Sequence, residues 1–140
     1  MSKTIERLTL LVRYGLVDRG DGTIYSVRTN LYWQQSSSTE RYTWKDAHAY
    51  CEKLNLAGYK DWRLPTIKEL KTLIEKEHQP TICPVFECKS DWYWSSSYIG
   101  HPNRAWLVYF YGVGVSGVSV DKGNQGFVRA VRSGPDDLVI

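Results

Sequence analysis

The chain has 140 residues, a length that suits one domain with a single core, so we expect one domain over residues 1–140. Its formal net charge is +3, with 18 basic residues scattered among 15 acidic ones, and this argues against a nucleic-acid partner because no basic run is present to follow phosphates. The apolar stretch near the N-terminus is short and is interrupted by Arg13, so neither a signal peptide nor membrane insertion is expected.

The first predicted element is a β-hairpin. Residues Leu8 to Val17 and Thr23 to Val27 are rich in β-forming side chains, and Asp21-Gly22 between them tolerates the positive φ angles of a tight turn. The acidic residues around this turn lack the spacing and the closing glutamate of a calcium loop. We therefore expect two paired strands here and no calcium site.

The apolar residues after Trp44 recur at helical spacing. Thr43 and Asp46 are suited to cap the start of a helix, and Gly58 is suited to end it. The sequence therefore predicts a first helix that begins at Trp44 and buries a face made by Ala47, Cys51 and Leu54.

A second helix is predicted from the capping box that Thr66 forms with Glu69. Pro80 prevents this helix from continuing past His78, because proline lacks the backbone donor that a helix needs. The apolar face of the second helix is expected to comprise Ile67, Leu70, Leu73 and Ile74.

The chain after Trp92 loses helical periodicity and predicts short strands. Because strands and helices are grouped apart instead of alternating, we expect an α+β domain in which two helices pack on a mainly antiparallel sheet. The strands predicted in this part are Tyr93 to Ser96, Arg104 to Tyr111, Val113 to Val120 and Gly126 to Arg132.

The run Asp61-Trp62-Arg63-Leu64-Pro65-Thr66 is one of six motifs that occur in a characteristic order. The others are Gly20-Asp21-Gly22-Thr23, Leu31-Tyr32-Trp33-Gln34, Tyr93-Trp94-Ser95-Ser96-Ser97, Ala105-Trp106 and Val128-Arg129-Ala130-Val131-Arg132. Together they resemble the lectin-like family that includes the C-terminal domain of bacterial collagen-like adhesins, and this resemblance implies a C-type lectin fold. Members often have a cysteine where this chain has Ala130, so a disulfide from Cys51 to the last strand is excluded.

The fold and the final Val-Arg repeat also resemble the variable proteins of diversity-generating retroelements, whose diversified segment lies at the C-terminus. In those proteins, randomised adenines in codons of the AAC type cannot give Lys, Gln, Glu, Trp or Met. These types make up 3 of the 30 residues from Tyr98 to Phe127 but 24 of the 97 before them, although strand-rich segments are also poor in Lys, Glu and Gln. The resemblance implies a variable, receptor-binding surface in residues 98–127 of a viral or cellular protein. A fixed adhesin module and an assembly domain of a larger particle are the alternatives.

The resemblance places the ligand-contacting residues in the same C-terminal segment. Side chains two residues apart share one face of a strand, so Tyr109 and Tyr111 are expected to face the ligand while Trp106, Val108 and Phe110 face the core. Aromatic and small polar side chains of this kind are typical of adaptable binding surfaces. The expected contact residues are Tyr98, His101, Asn103, Leu107, Tyr109, Tyr111, Val113, Ser116, Ser119, Asp121 and Asn124.

Cys83 and Cys88 are the basis of an enzymatic alternative. The formylglycine-generating enzyme has the same broad fold and uses two cysteines at equal spacing to hold copper. Here the pair follows the second helix instead of lying near the last strands, and the arginine and glycine pattern that flanks the enzyme's pair is absent. A local disulfide and two free thiols are both compatible with the spacing.

Other residues with chemical potential are expected to be structural. His48 and Cys51 lie three apart on a helix but have no second pair of ligands, and the calcium motifs of sugar-binding lectins are absent. Trp62, Arg63 and Trp94 are expected to belong to the framework, with Asp61 forming a salt bridge in the turn beside Arg63. We therefore expect no catalytic residue, metal or cofactor. The expected partner is a protein or glycan ligand, a homo-oligomer is compatible with the sequence, and the expected location is a virion or cell surface.

Overall fold

The computed structural model describes residues 3–98, 100–111 and 117–135. Within these residues the chain is α+β, with three helices and two antiparallel sheets. The helices are α1 (Lys3–Tyr14), α2 (Trp44–Lys53) and α3 (Ile67–Lys71). The strands are β1 (Leu16–Asp18), β2 (Thr23–Ser26), β3 (Leu31–Gln34), β4 (Trp92–Trp94), β5 (Arg104–Tyr109), β6 (Val118–Asp121) and β7 (Val131–Ser133).

The two sheets are joined by two clusters of buried apolar side chains. The larger sheet has the order β1-β2-β3-β7, so the C-terminal strand pairs with β3 and places Val131 opposite Trp33. The smaller sheet has the order β4-β5-β6. The first cluster contains Trp33, Tyr93 and Phe110, and the second cluster lies beneath α2. The smaller sheet is therefore covered on both faces, so neither face of β5 is fully open to a ligand.

The N-terminal segment is the main correction to the predicted fold. The predicted strand from Leu8 to Val17 is wrong over most of its length, because α1 covers Lys3–Tyr14 and only β1 follows it. Leu10 and Tyr14, four residues apart, pack against the first cluster, so helical spacing prevails over β propensity. Gly15 ends α1 with a φ of 68° and an N–H bond of 2.9 Å to the Leu11 carbonyl. The hairpin that follows, β1 with β2, is confirmed.

Both later helices begin where the sequence predicts but end earlier. The Thr43 side chain accepts the Asp46 N–H at the start of α2, which ends at Lys53 and not near Gly58. Gly58 instead serves a tight turn further on, with a φ of 82°. The capping box of α3 is present, but the helix stops at Lys71 because the next backbone bonds are of the tighter, three-residue type. The predicted helix up to His78 is therefore wrong beyond its first turns.

The strands of the C-terminal part are shorter than predicted, and one strand was not predicted. β3, which lies between β2 and β7, had been identified only as a family motif. Part of the predicted strand from Val113 to Val120 lies outside the described residues, and β6 occupies its end. The predicted strand from Gly126 to Arg132 forms a regular ladder only in β7, because its first half bonds to several different segments.

Arg129 joins the segments that converge between the two sheets. The side chain is fully buried, and its guanidinium donates to the carbonyl oxygens of Gln34, Gln35 and Glu87 at 2.7, 2.7 and 2.5 Å. The guanidinium carbon also lies 5.0 Å from the ring centre of Phe86. A buried cation is tolerable only where such partners replace water, so Arg129 fixes the relative positions of these backbone segments.

Candidate functional site

A group of three side chains forms the most distinctive exposed feature near the start of β5. We call Trp44, Tyr98 and Lys122 the tryptophan–lysine cluster. The Lys122 ammonium lies 4.1 Å from the ring centre of Trp44 and 4.5 Å from that of Tyr98. The two rings meet edge to face, with centres 5.8 Å apart. A cation placed between two aromatic faces is attracted by both ring quadrupoles.

Backbone and side-chain hydrogen bonds hold this cluster in place. The Trp44 indole donates to the Ser95 carbonyl at 2.9 Å, and the Trp44 backbone N–H donates to the Lys122 carbonyl at 3.1 Å. The Lys122 backbone N–H donates to the Asn103 carbonyl at 2.9 Å, and its ammonium donates to the Pro102 carbonyl at 2.6 Å. The start of α2, the loop before β5 and the turn after β6 therefore position the cluster together.

His48 packs against the inner side of the cluster. Its ring stands edge-on to Trp44 with centres 4.3 Å apart, and its Nε2 is buried with no hydrogen-bond partner among the described residues. Burial lowers the pKa of His48 below 6.5; Glu52 opposes this effect in part, and Lys122 adds a smaller lowering effect. The imidazole is therefore neutral at pH 7, and Lys122 supplies the positive charge of the cluster.

Tyr98 connects the cluster to a shallow depression of about 290 Å³, which Ser96, Ser97 and Gly100 also line. With 53% of its surface exposed, Tyr98 offers a ring face to solvent. The rim around Lys122 is polar, since His101, Asn103, Asp121 and Asn124 are all exposed. Such a surface can stack a flat group on Tyr98 and bond it from several sides.

Comparison with known protein families identifies the family of this chain. A family model of the Lcl C-terminal domain matches residues 22–132, about four fifths of the chain. The chain belongs to this family. The match spans all three residues of the tryptophan–lysine cluster and all strands but β1 and the last residue of β7. A comparison with curated proteins finds no match.

In this Lcl C-terminal domain, five of the expected contact residues lie together around Lys122. Tyr98 belongs to the cluster itself, and the His101 ring accepts the Asn103 backbone N–H at 3.2 Å. Asp121 and Asn124 belong to one turn, in which the Asn124 N–H donates to the Asp121 carbonyl at 3.0 Å. Residues that are up to 26 positions apart in the sequence thus share one surface of the domain.

Tyr109 and Tyr111 lie at the opposite end of β5, roughly 16 Å away at the usual rise per strand residue. With Trp92 they form a row of three rings, whose successive centres are 5.6 and 5.7 Å apart, and we call it the aromatic row. Tyr111 is 53% exposed, whereas Tyr109 and Trp92 are half-buried. Arg41 forms an ion pair with Asp91 beside Trp92. The expected contact residues therefore divide into two surfaces.

One expected contact residue, Leu107, is buried, and another, Ser119, bonds to the neighbouring strand β5. Leu107 is fully buried in the second cluster, because both faces of β5 are covered and not one face as expected. Its assignment as a contact residue is therefore wrong. The Ser119 hydroxyl accepts a hydrogen bond of 3.2 Å from the Arg104 guanidinium, and the Ser119 carbonyl accepts a second one.

Trp106, expected in the core, is half-buried. Val113 and Ser116 lie outside the described residues.

The expected framework residues are buried or paired in the Lcl C-terminal domain. Trp62 and Trp94 are buried, and the Trp94 indole donates to the Tyr42 carbonyl at 2.7 Å. Arg63 connects Glu69 to Ser133, with bonds of 2.8 and 3.2 Å. The expected salt bridge of Asp61 with Arg63 is wrong, because Asp61 pairs with Arg132 at 2.7 Å across to β7.

The cysteines are free thiols. Cys51 and Cys83 are buried and Cys88 is half-buried. Burial raises the pKa of Cys51 to about 12 and also raises that of Cys83. No group of three or more His, Cys, Asp or Glu side chains within the described ranges is arranged to hold a metal ion. The helices found in the same ranges are all too short or too polar to cross a membrane.

Sequence reasoning missed three residues of these surfaces, namely Trp44, Trp92 and Lys122. Trp44 was expected only at the start of α2, and Lys122 was not among the expected contact residues. Helical spacing predicted only a core role for Trp44, since it lies on the same stripe as Ala47 and Cys51 and packs against the second cluster. Its contact with Lys122, 78 residues later, had no local signal.

Proposed function

We propose that this Lcl C-terminal domain is a non-catalytic, adhesin-type binding module on a C-type lectin-like scaffold, and that the tryptophan–lysine cluster is its contact surface. The observation that carries this proposal is the position of Lys122. Its ammonium is held between two rings, it donates to one backbone carbonyl, and it forms no ion pair with any described carboxylate. An ammonium group has three donors, so two stay available to a ligand.

The ligand of this surface is a protein or glycan group that offers an acceptor to Lys122 and a flat face to Tyr98. The hydrogen bonds that hold Trp44 and Lys122 reduce the side-chain freedom that binding would remove. The polar rim supplies further donors and acceptors through His101, Asn103 and Asp121. We propose that such a module acts at a cell or virion surface.

The binding role is preferred over an oxidase that uses Cys83 and Cys88. A catalytic or copper-binding cysteine requires a thiolate, whereas burial raises the pKa of Cys83. Tyr98 is exposed and Lys122 is half-buried, so burial does not prevent a ligand from contacting either side chain.

A diversified surface is the second candidate, and one observation favours it. The exposed residues around Lys122 are Tyr, His, Asn and Asp, and each type can arise by adenine randomisation. Their side chains can vary without disturbing the buried framework, because they lie on the rim. Sequencing the DNA around the gene tests this candidate. A near-copy of the coding region that differs at adenines, with a reverse transcriptase gene nearby, would establish it.

Binding measurements on matched variants test the contact surface. The purified domain is applied to arrays of immobilised glycans and extracellular proteins, and the affinity for each bound probe is measured for Tyr98→Ser and Lys122→Met. We expect at least about a tenfold loss for each, because contacts near the centre of a small interface carry most of its energy. The melting temperatures of both variants should stay near that of the wild type.

Tyr111→Ser is the control, since Tyr111 is as exposed as Tyr98 but belongs to the aromatic row. Loss of binding in this variant, with full binding in the other two, would move the contact surface to the aromatic row. Binding that none of the three variants changes would contradict both assignments.

A further inference from the structure

A second groove lies on a different side of α2. We call it the α2 groove; it has a volume of about 450 Å³ and is lined by Tyr42, Asp46, Tyr50, Lys53 and Asn55, with two apolar residues. Asp46, Tyr50 and Lys53 lie on one stripe of the helix, since they are four and then three residues apart. Trp44 is about 160° away from Asp46 around the helix, so the groove is separate from the tryptophan–lysine cluster.

The Tyr50 hydroxyl has a fixed role at one wall of this groove. The Gln34 side chain is buried, and its Oε1 accepts the Ala130 backbone N–H at 2.9 Å. Because that N–H can only donate, the amide nitrogen of Gln34 must face Tyr50, and it donates to the Tyr50 hydroxyl at 2.7 Å. The hydroxyl oxygen is thus an acceptor for Gln34.

The hydroxyl hydrogen of Tyr50 is left for another acceptor. In the described part of the chain none accepts it, although the rest of the local network is satisfied. Burial raises the pKa of Tyr50 above 10, against the effect of the Gln34 hydrogen bond, so the hydroxyl keeps its hydrogen at neutral pH. Tyr50 therefore presents a donor to an occupant of the groove.

The other lining groups provide a ring face and two opposite charges. The rings of Tyr42 and Tyr50 have centres 5.4 Å apart and planes inclined by 39°, which gives an angled aromatic wall. Asp46 and Lys53 are exposed, and neither forms an ion pair with another described residue. They are seven positions apart along the helix, or roughly 10 Å, which is too far for them to pair with each other.

The hydrogen-bonding groups and charges that line the α2 groove restrict which kind of ligand can bind there. Asp46 can only accept hydrogen bonds, while Lys53 and the free Tyr50 hydrogen can only donate. A hydroxyl group does both, so one polyhydroxylated ring can satisfy all three while its C–H face covers the tyrosine rings. An anion attracted by Lys53 would be repelled by Asp46, and a cation attracted by Asp46 would be repelled by Lys53, whereas a neutral ring meets neither repulsion. A free amino acid has its charges too close together to reach both ends.

We propose that the α2 groove is a binding site for a neutral saccharide. The volume lies within the range of small-ligand sites, and the site needs no metal ion to hold sugar hydroxyls. This site is independent of the tryptophan–lysine cluster, so it adds a second, small-ligand contact to the binding module.

Titration of the isotope-labelled domain with neutral sugars tests the proposal. The probes are glucose, galactose, mannose, N-acetylglucosamine and their common disaccharides, each added separately while backbone amide shifts are recorded. At least one sugar should give saturable shifts confined to residues 42–55, with a dissociation constant in the millimolar range. Asp46→Asn and Tyr50→Phe should each weaken that sugar at least about fivefold.

Two controls make the outcome decisive. Tyr25→Phe also removes one tyrosine hydroxyl, which donates to Asn30 at 2.7 Å away from the groove, and it should leave sugar affinity unchanged. Tyr98→Ser should likewise leave it unchanged, which separates this site from the cluster. If no neutral sugar gives saturable shifts in residues 42–55, or if Asp46→Asn binds as tightly as the wild type, the proposal is overturned. Shifts produced only by glycine betaine or another charged probe would overturn it too.

Discussion

Arg129 and Lys122 are both cations packed between aromatic rings, but they lie in regions with opposite properties. Arg129 is fully buried between Phe86 and Tyr93 and donates three hydrogen bonds to backbone carbonyls. Lys122 is half-buried between Trp44 and Tyr98 and donates one side-chain hydrogen bond, to Pro102. The same pairing of cation and ring stabilises the fold where several of the cation's donors bond to backbone carbonyls, and is available for binding where most of them stay free.

The largest expected effect is the loss of stability in Arg129→Met. Methionine fills part of the space but cannot donate, so the carbonyls of Gln34 and Glu87 would lose the donor that Arg129 provides, while that of Gln35 keeps the Glu87 N–H. Each unsatisfied group costs about 1 to 3 kcal/mol, and we expect the free energy of unfolding to fall by more than about 3 kcal/mol. Chemical denaturation at pH 7 measures this change.

Arg129→Lys is the matched control for charge. Lysine keeps the positive charge, but its compact ammonium cannot span carbonyls that the planar guanidinium reaches at once. We expect a loss of stability close to that of Arg129→Met. Full stability in the lysine variant would mean that charge against the rings, and not the bonds to the three carbonyls, determines the role of Arg129.

An intermediate effect is expected for Glu69, which combines framework and surface properties. The Glu69 carboxylate completes the capping box of α3 and accepts two hydrogen bonds from Arg63 at 2.8 and 2.9 Å. Glu69→Ala removes both interactions and should lower the free energy of unfolding by about 1 to 2 kcal/mol. Glu69→Gln keeps an acceptor for the cap and should lower it by roughly half as much.

The effect of Glu69 should also depend on pH. Burial would raise the pKa of Glu69, but hydrogen bonds from Arg63 and the Thr66 backbone outweigh it and hold the pKa below the ordinary 4.5. A depressed pKa contributes stability above the unfolded value, and this contribution is lost as pH falls through the folded value. The difference between wild type and Glu69→Gln should therefore shrink below pH 4.5. A difference that stays constant down to pH 3 would show that the charge of Glu69 contributes nothing.

The features that sequence reasoning predicted are those with local causes. Thr43 and Thr66 each bond to a backbone N–H three residues later, so both helix starts could be predicted from short stretches of sequence. The turn at Asp21-Gly22 and the family motif at Asp61 to Thr66 are local as well. The identity of the family, confirmed by the match to residues 22–132, depended on such motifs.

The features that were missed depend on long-range packing. Alternation along β5 suggested one buried face, but the strand lies between two apolar clusters, so Leu107 and Val108 are both fully buried. The N-terminal segment has both β propensity and helical spacing. It forms a helix because Leu10 and Tyr14 then pack on the first cluster, whose residues are distant in sequence. The contact of Lys122 with Trp44 has the same character, since it requires β6 and α2 to be placed first.

The smallest expected effect on stability is that of Lys122→Met, the counterpart of Arg129→Met. Removal of the ammonium leaves the Pro102 carbonyl, in an exposed loop, free to bond to water, and the methionine stem still packs on Trp44. A partly exposed cation–π contact is worth about 0.5 to 1 kcal/mol, so the free energy of unfolding should fall by no more than that. The same denaturation experiment compares the two variants directly. If Lys122→Met lost as much stability as Arg129→Met, Lys122 would belong to the framework. The proposal that the tryptophan–lysine cluster is a contact surface would then be contradicted.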